Sequence, residues 1–298
     1  MMDRSGLLTE GRLAESMELD RMPIDRAVAL MNAQDAIAVA AVGEQGENIV
    51  AAVKLVVAAF RSGGRLLYFG AGSSGRLGVL DASECPPTFR SDEMMVRGFI
   101  AGGEAAMFKA QEGAEDSAAD GAKAVDQCGA GAADVVMGIA AGGTTPFVHG
   151  ALRRAQQRGA KTIFLSCVQE VKDEPTVDVV IRPLTGAEVI TGSTRLKAGT
   201  ATKIVLNTIS SLAMVQMGKV YENLMVDLRA SNEKLRDRGT RIVAMLTGLS
   251  QEKSAAILRQ AEGHVKAAVV MQKRGIGLPA AKVILERCGG RLREAMAS

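Results

Sequence analysis

The sequence predicts a doubly wound α/β fold, with a parallel sheet in three layers, helices ahead of it and a small C-terminal appendage of three helices. Three observations carry this. Five short apolar runs, RLLYFG (65–70), MVRGFIA (95–101), ADVVMGIAA (133–141), TIFLSC (162–167) and DVVIRPL (178–184), are mostly separated by helical segments. The runs are nearly continuous rather than alternating, as in strands covered on both faces, and parallel neighbours need long crossovers. Open sheets of this kind bind ligands beyond the carboxyl ends of their strands, so the loops after Phe69, Ala101 and Ala141 are where chemistry is expected.

From Pro23 to about Phe60 apolar residues recur at three and four, which predicts amphipathic helices, and Ser-Gly-Gly at 62–64 ends them. After Thr191 the pattern is helical again. STRLKAGTATKIVLNTISSLAMVQMG is one long segment and SNEKLRDRGTRIVAMLTG another. Beyond Gly248 three stretches, EKSAAILRQAEG, HVKAAVVMQKRG and PAAKVILERCGGRLREAMA, each close on glycine or the chain end. The expected division is therefore 1–60, helices packed on the core; 61–248, the α/β domain with long helices after 193; and 249–298, a small helical domain.

The 298 residues are 47% hydrophobic but only 3% aromatic with no Trp, so the core is built from small aliphatic side chains and lacks platforms for stacking bases. The 36 basic and 33 acidic residues form no long like-charged run, which leaves no nucleic-acid footprint. Cys85, Cys128, Cys167 and Cys288 lie far apart with no histidine at ligand spacing, so free thiols and no metal site are expected. The acidic start lacks the apolar core of a secretory signal, and IVAAVKLVVAAF is interrupted by Lys54 and too short for a bilayer. A cytoplasmic location with no membrane partner is the expectation.

The strongest local signal is YFGAGSSGRLGVLDASECPP, a buried strand entering a loop that opens a helix. Gly70, Gly72 and Gly75 allow close backbone approach, and the free N–H groups of a helix start favour an anion. The same glycines satisfy G-x-G-x-x-G, so a dinucleotide is a rival, as is a tight turn with no ligand. The hydroxyls of Ser73 and Ser74, and the helical leader ahead of the strand, favour a phosphomonoester. A second loop, IAAGGTTPF, offers Gly142, Gly143, Thr144 and Thr145 before Pro146; Thr145 is alternatively only a helix N-cap.

Pro86 and Pro87 are expected to stop the first loop's helix at about Cys85. That places Glu84 in its last turn, where the helix dipole disfavours the carboxylate and suits a general acid; an exposed helix-end glutamate is the alternative. Glu112, Glu115 and Asp116 cluster in KAQEGAEDSAADG, and periodicity does not choose among them or distinguish them from solvated charge. His149 and His264 sit in apolar helical contexts that point to structural roles.

GAGSSGRLGVLDASECPPTF, IAGGEAAM with EGAEDS, GAEVITGSTRLKAGTATK and NLMVDLRASNEKL together resemble the N-acetylmuramic acid 6-phosphate etherases, of the sugar isomerase domain superfamily. With the leader and the helical tail the resemblance covers nearly the whole chain. DASECPPTF and GSTRLKAGT separate this family from generic sugar isomerases.

The resemblance implies a cofactor-free lyase. The sugar opens to its aldehyde, the C2 proton is removed, D-lactate leaves C3, and water adds to give N-acetylglucosamine 6-phosphate. It maps the proton donor onto Glu84 and the second catalytic carboxylate onto Glu115. Phosphate and substrate contacts fall to Gly72, Ser73, Ser74, Gly75, Thr144, Thr145, Ser193, Arg195 and Lys197. It also implies a homodimer. The second loop departs from the family: A-S-G-R-T-P-Y is usual, and this chain has AGGTTPF at 141–147, without the Ser, Arg and Tyr side chains. Two rivals share the fold, a sugar-phosphate-binding regulator like the glucokinase regulatory proteins and an aldose-ketose isomerase. The pair Glu84 and Glu115, with DASECPP, favours the etherase over both.

Overall fold

The computed structural model describes residues 6–228 and 232–297. All five expected strands form: β1 Leu66–Gly70, β2 Val96–Ile100, β3 Val135–Ile139, β4 Lys161–Leu165 and β5 Val179–Ile181. They make one parallel sheet in the order β2-β1-β3-β4-β5, with Leu66 opposite both Val96 and Val135. Every residue of β1 and β3 is buried, which is why both runs lack polar alternation. The order reverses between β1 and β3, so the loops leaving these two strands flank the switch-point crevice where such sheets bind ligands.

Among the described residues two α-helices precede the sheet, α1 Ile24–Gly43 and α2 Gly46–Arg61. No single described helix is long and apolar enough to cross a membrane; α1 and α2 qualify only as a pair bent by 63°. Between the strands lie α3 Gly72–Phe89, α4 Ala105–Phe108, α5 Ala118–Gln127 and α6 Pro146–Gln157, and α7 Lys197–Gln216 follows β5. The helices divide between the two faces. Leu67, Phe69 and Val136 pack with Val125 of α5 and Phe147, Val148 and Leu152 of α6. On the other face Tyr68 donates to Asp81 of α3, whose carboxylate also accepts from Asn207 and Ser210 of α7. Helices α5 and α6 touch through glycine: a Cβ on Gly121 would stand 1.9 Å from the Phe147 carbonyl oxygen, and one on Gly150 2.0 Å from that of Ala118.

Two sequence expectations require correction. Helix α3 does not stop at Cys85: it continues through Pro86 and Pro87 to Phe89. Each proline removes one intrahelical hydrogen bond, but proline's fixed φ is helical and the local bonding resumes, with Arg90 N–H donating to the Pro86 carbonyl at 2.9 Å. Glu84 is therefore inside the helix and not in its last turn, so the helix-end argument for a general acid does not apply to it. The tail holds four helices rather than three, α9 Gln251–Gln260, α10 Val265–Arg274, α11 Leu278–Arg287 and α12 Leu292–Ala297. Gly289 and Gly290 take φ of 58° and 76° and split the last expected helix in two.

By contact the chain divides into two compact units, Met1–Ser83 with Met94–Ser210, and Glu84–Glu93 with Ser211–Ser298. The second unit contains α8 Glu233–Thr247, capped by the Asn232 side chain, together with α9 to α12. Its core gathers Leu228, Val243, Leu258, Val265 and Val269. Asp227 binds the ammonium groups of both Lys219 and Lys266 at 2.9 Å, and Lys266 also donates to the Gly290 carbonyl. Positions 229–231 of the NLMVDLRASNEKL segment lie outside the described residues.

Candidate active site

The first loop is shaped by contact between backbones. A Cβ on Gly75 would fall 2.6 Å from Ile100 Cγ1 and 2.8 Å from the Gly70 carbonyl oxygen, and Gly72 has φ of +51°. Only glycine meets both demands at low cost. Gly72, Ser73, Ser74 and Gly75 form the first turn of α3. The hydroxyls of Ser73 and Ser74 are half-buried and make no hydrogen bond to a described residue.

Beside this turn lies a cavity of about 320 Å³ whose walls include Gly72, Arg76, Gln111, Glu112 and Glu115. Of the three carboxylates left open by sequence, Glu112 and Glu115 line it and Asp116 does not. Glu115 sits in a 3-10 turn, Ala114–Asp116, entered through Gly113 at φ of 73°. On its far side Ser117 caps α5 by accepting from Asp120 N–H at 3.1 Å. Glu84 is exposed and belongs by contact to the other unit. A larger groove, about 740 Å³, borders the edge strand β5; its Arg182 and Glu174 neutralise one another at 2.5 Å, and it lies away from the switch point.

The second loop turns at Gly143, φ +74°, and delivers Thr145 to the N-cap position of α6, the alternative left open by the sequence, but the Thr145 side chain makes no capping bond. Thr144 and Thr145 are half-buried. His149 is structural: its Nε2 lies 2.8 Å from the Gly143 carbonyl oxygen, a contact that requires the proton on Nε2. Burial pushes its pKa below the usual imidazole value, so it holds the loop as a neutral donor. Phe147 is buried against Phe69 in the core. His264 is the N-cap residue of α10, with its ring 2.7 Å from the Arg90 guanidinium.

The GSTRLKAGT segment divides its residues among different surroundings. Ser193 is half-buried and Arg195 exposed. Lys197 is 3% exposed, and its ammonium donates to Gln34 Oε1 at 2.6 Å, with burial lowering its pKa. Next to it the fully buried Glu188 caps α7 from outside. The leader reaches the same region: Gly192 N–H donates to the Thr9 carbonyl, and the buried Thr9 hydroxyl, without a partner among the described residues, is the atom nearest a Cβ built on Gly142. Arg76, Gln34, Glu188 and Thr9 were not singled out from sequence. Only Arg76 carried a local signal, a lone cation one turn into the loop's helix. Among the described residues no group of three or more His, Cys, Asp or Glu is placed to hold a metal ion.

A family model described as the glucokinase regulatory protein N-terminal SIS domain matches residues 48–156, and one described as the C-terminal lid domain of glucokinase regulatory protein matches 222–276. Among solved structures, a putative phosphosugar isomerase involved in capsule formation from Bacteroides fragilis aligns with a TM-score of 0.50 at 17% identity. It covers 67% of this chain and 95% of its own, which speaks to the fold alone. An N-acetylmuramic acid 6-phosphate etherase of Synechocystis sp. is 49% identical over 99% of this chain and 96% of its own length. One of Mycolicibacterium smegmatis is 47% identical over 99% of both chains. With near-complete coverage in both directions at this identity, the chain belongs to the N-acetylmuramic acid 6-phosphate etherase family.

Proposed function

We propose that the protein is an N-acetylmuramic acid 6-phosphate etherase, a carbon-oxygen lyase that releases D-lactate from C3 and leaves N-acetylglucosamine 6-phosphate. The observation that carries this is the 49% identity maintained along 99% of the chain. The switch-point cavity with glycine backbone on one wall and carboxylates on another is consistent with an anionic sugar substrate.

In the proposed reaction Glu115 removes the C2 proton of the open-chain sugar, and the C1 aldehyde takes up the resulting negative charge. The C3–O bond then breaks while Glu84 gives a proton to the departing lactate oxygen. Water adds across the double bond to restore a hydroxyl at C3. Acid and base assistance of this kind contribute about 10² to 10⁴ each. Gly72, Ser73, Ser74 and Gly75 receive the phosphate at the start of α3, with Thr144 and Thr145 at the second loop, and Ser193, Arg195 and Lys197 belong to the substrate-binding set. No cofactor takes part in this scheme. The active form is a homodimer in the cytoplasm.

The test is release of D-lactate from N-acetylmuramic acid 6-phosphate by the purified protein, without added metal or nucleotide, followed with a D-lactate-specific coupled assay. Stoichiometric lactate and N-acetylglucosamine 6-phosphate are expected. No lactate above background overturns the assignment.

A further inference from the structure

Residues 102–113 approach the switch-point cavity as a segment with little of its own to hold it. Helix α4 is a single turn, too short to persist unaided. Gly102 and Gly103 precede it at φ of 85° and 69°, and Gly113 follows at 73°, so both ends are jointed by glycine. Among its side chains only Ala106 is buried, while Phe108 is 96% exposed. What grips the segment is Arg76: its Nε donates to the Met107 carbonyl at 2.9 Å and its Nη2 to the Ala106 carbonyl at 2.7 Å. These are carbonyls at the end of α4, where a cation is favoured and the carbonyls have no intrahelical donors. Arg76 stands one residue beyond Gly75, so the start of α3 that carries the first loop also fixes the segment leading to Glu115.

We infer that Arg76 is a positioning residue for Glu115, setting where that carboxylate stands relative to the first loop. This rests on the proposed etherase reaction and deepens it. Glu115 is anchored on its C-terminal side by the Ser117 cap of α5, and Arg76 supplies the anchor on the other side. With that anchor removed, the glycine joints let the 3-10 turn move by a distance comparable to the precision proton transfer needs. Misplacement of a catalytic group by about 1 Å costs about 10²-fold in rate.

The experiment uses full-length Arg76→Met, Arg76→Lys, Glu115→Gln and the double variant Arg76→Met with Glu115→Gln. C2 exchange with solvent deuterium and lactate release are measured for each. Arg76→Met is expected to lose about 10²-fold in kcat for both readouts with little change in KM, and Arg76→Lys, which keeps the charge and its N–H donors but not the forked geometry, to lose less. Because Arg76 acts through Glu115, the double variant is expected to be no slower than Glu115→Gln alone. Amide hydrogen exchange is expected to quicken in 105–116 of Arg76→Met and to stay unchanged elsewhere. Unchanged kcat, a loss confined to KM, fully multiplicative losses in the double variant, or unaltered exchange in 105–116 each overturn the inference. Failure of the native protein to release lactate overturns the etherase assignment instead, and the hydrogen-exchange comparison still decides whether Arg76 anchors the segment.

Discussion

The Glu188 carboxylate accepts the backbone N–H of Ala198 at 3.0 Å and that of Lys197 at 3.2 Å, and so caps the start of α7 from a fully buried position. Burial raises its pKa above the ordinary 4.5, against the opposing effect of these bonds. A raised folded-state pKa gives a contribution to stability that is complete below 4.5 and declines as pH rises through the folded value. Urea unfolding of Glu188→Gln is therefore expected to show a flatter dependence on pH above 4.5 than the native protein. Glu188→Ala, which strands two N–H donors, is expected to lose about 1–3 kcal/mol at neutral pH.

Asp134 shows the opposite sign. Burial acts to raise its pKa, but the Arg65 guanidinium at 2.8 Å and the N–H groups of Gly131 and Arg65 outweigh this and hold it below the ordinary 3.8. Its contribution is present above 3.8 and is lost as pH falls through the folded value. Asp134→Asn is expected to cost about 1–3 kcal/mol at pH near 7, with the difference from native protein shrinking in acid; chemical denaturation across that range checks it.

Glycines of the two loops differ in what they tolerate. At Gly75 a Cβ meets Ile100 and the Gly70 backbone, so Gly75→Ala is expected to cost about 1–3 kcal/mol and to abolish most activity. At Gly142 only Thr9 Oγ1, at 4.0 Å, comes within reach of a Cβ. Gly142→Ser is expected to melt within about 0.5 kcal/mol of native protein. If the second loop receives phosphate, the added hydroxyl lowers KM by about tenfold.

The two proposed catalytic carboxylates are expected to separate in their effects. Glu84→Ala retains exchange of the C2 proton with solvent deuterium but releases no lactate. Glu115→Ala loses both by about 10² to 10⁴. Normal lactate release by the first variant would remove Glu84 from its role as proton donor.

All five strands were legible in the sequence because a strand buried on both faces is contiguous in its apolar residues, as LLYFG and VVMGI are. The loops after β1 and β3 were legible because glycines at strand ends record close backbone approach, which depends on immediate neighbours. The end of α3 was not. Two adjacent prolines signal a stop locally, yet the helix passes through them with Cys85 buried at 2% exposure, and packing there prevails over propensity. The break at Gly289 and Gly290 was read as part of one helix because a pair of glycines does not announce whether both take positive φ.

The sequence by itself determined the sheet, the two glycine-rich loops after β1 and β3 and the family resemblance, since each is written in contiguous runs of residues. Tertiary structure alone decided that Glu112 and Glu115, and not Asp116, line the cavity, and that Arg76 grips Ala106 and Met107. It also decided that Lys197 is spent on Gln34, 163 positions away in the chain. The physical reason is common to all three: which way a side chain points from a short turn or a helix start depends on the elements packed around it, and no local periodicity encodes those.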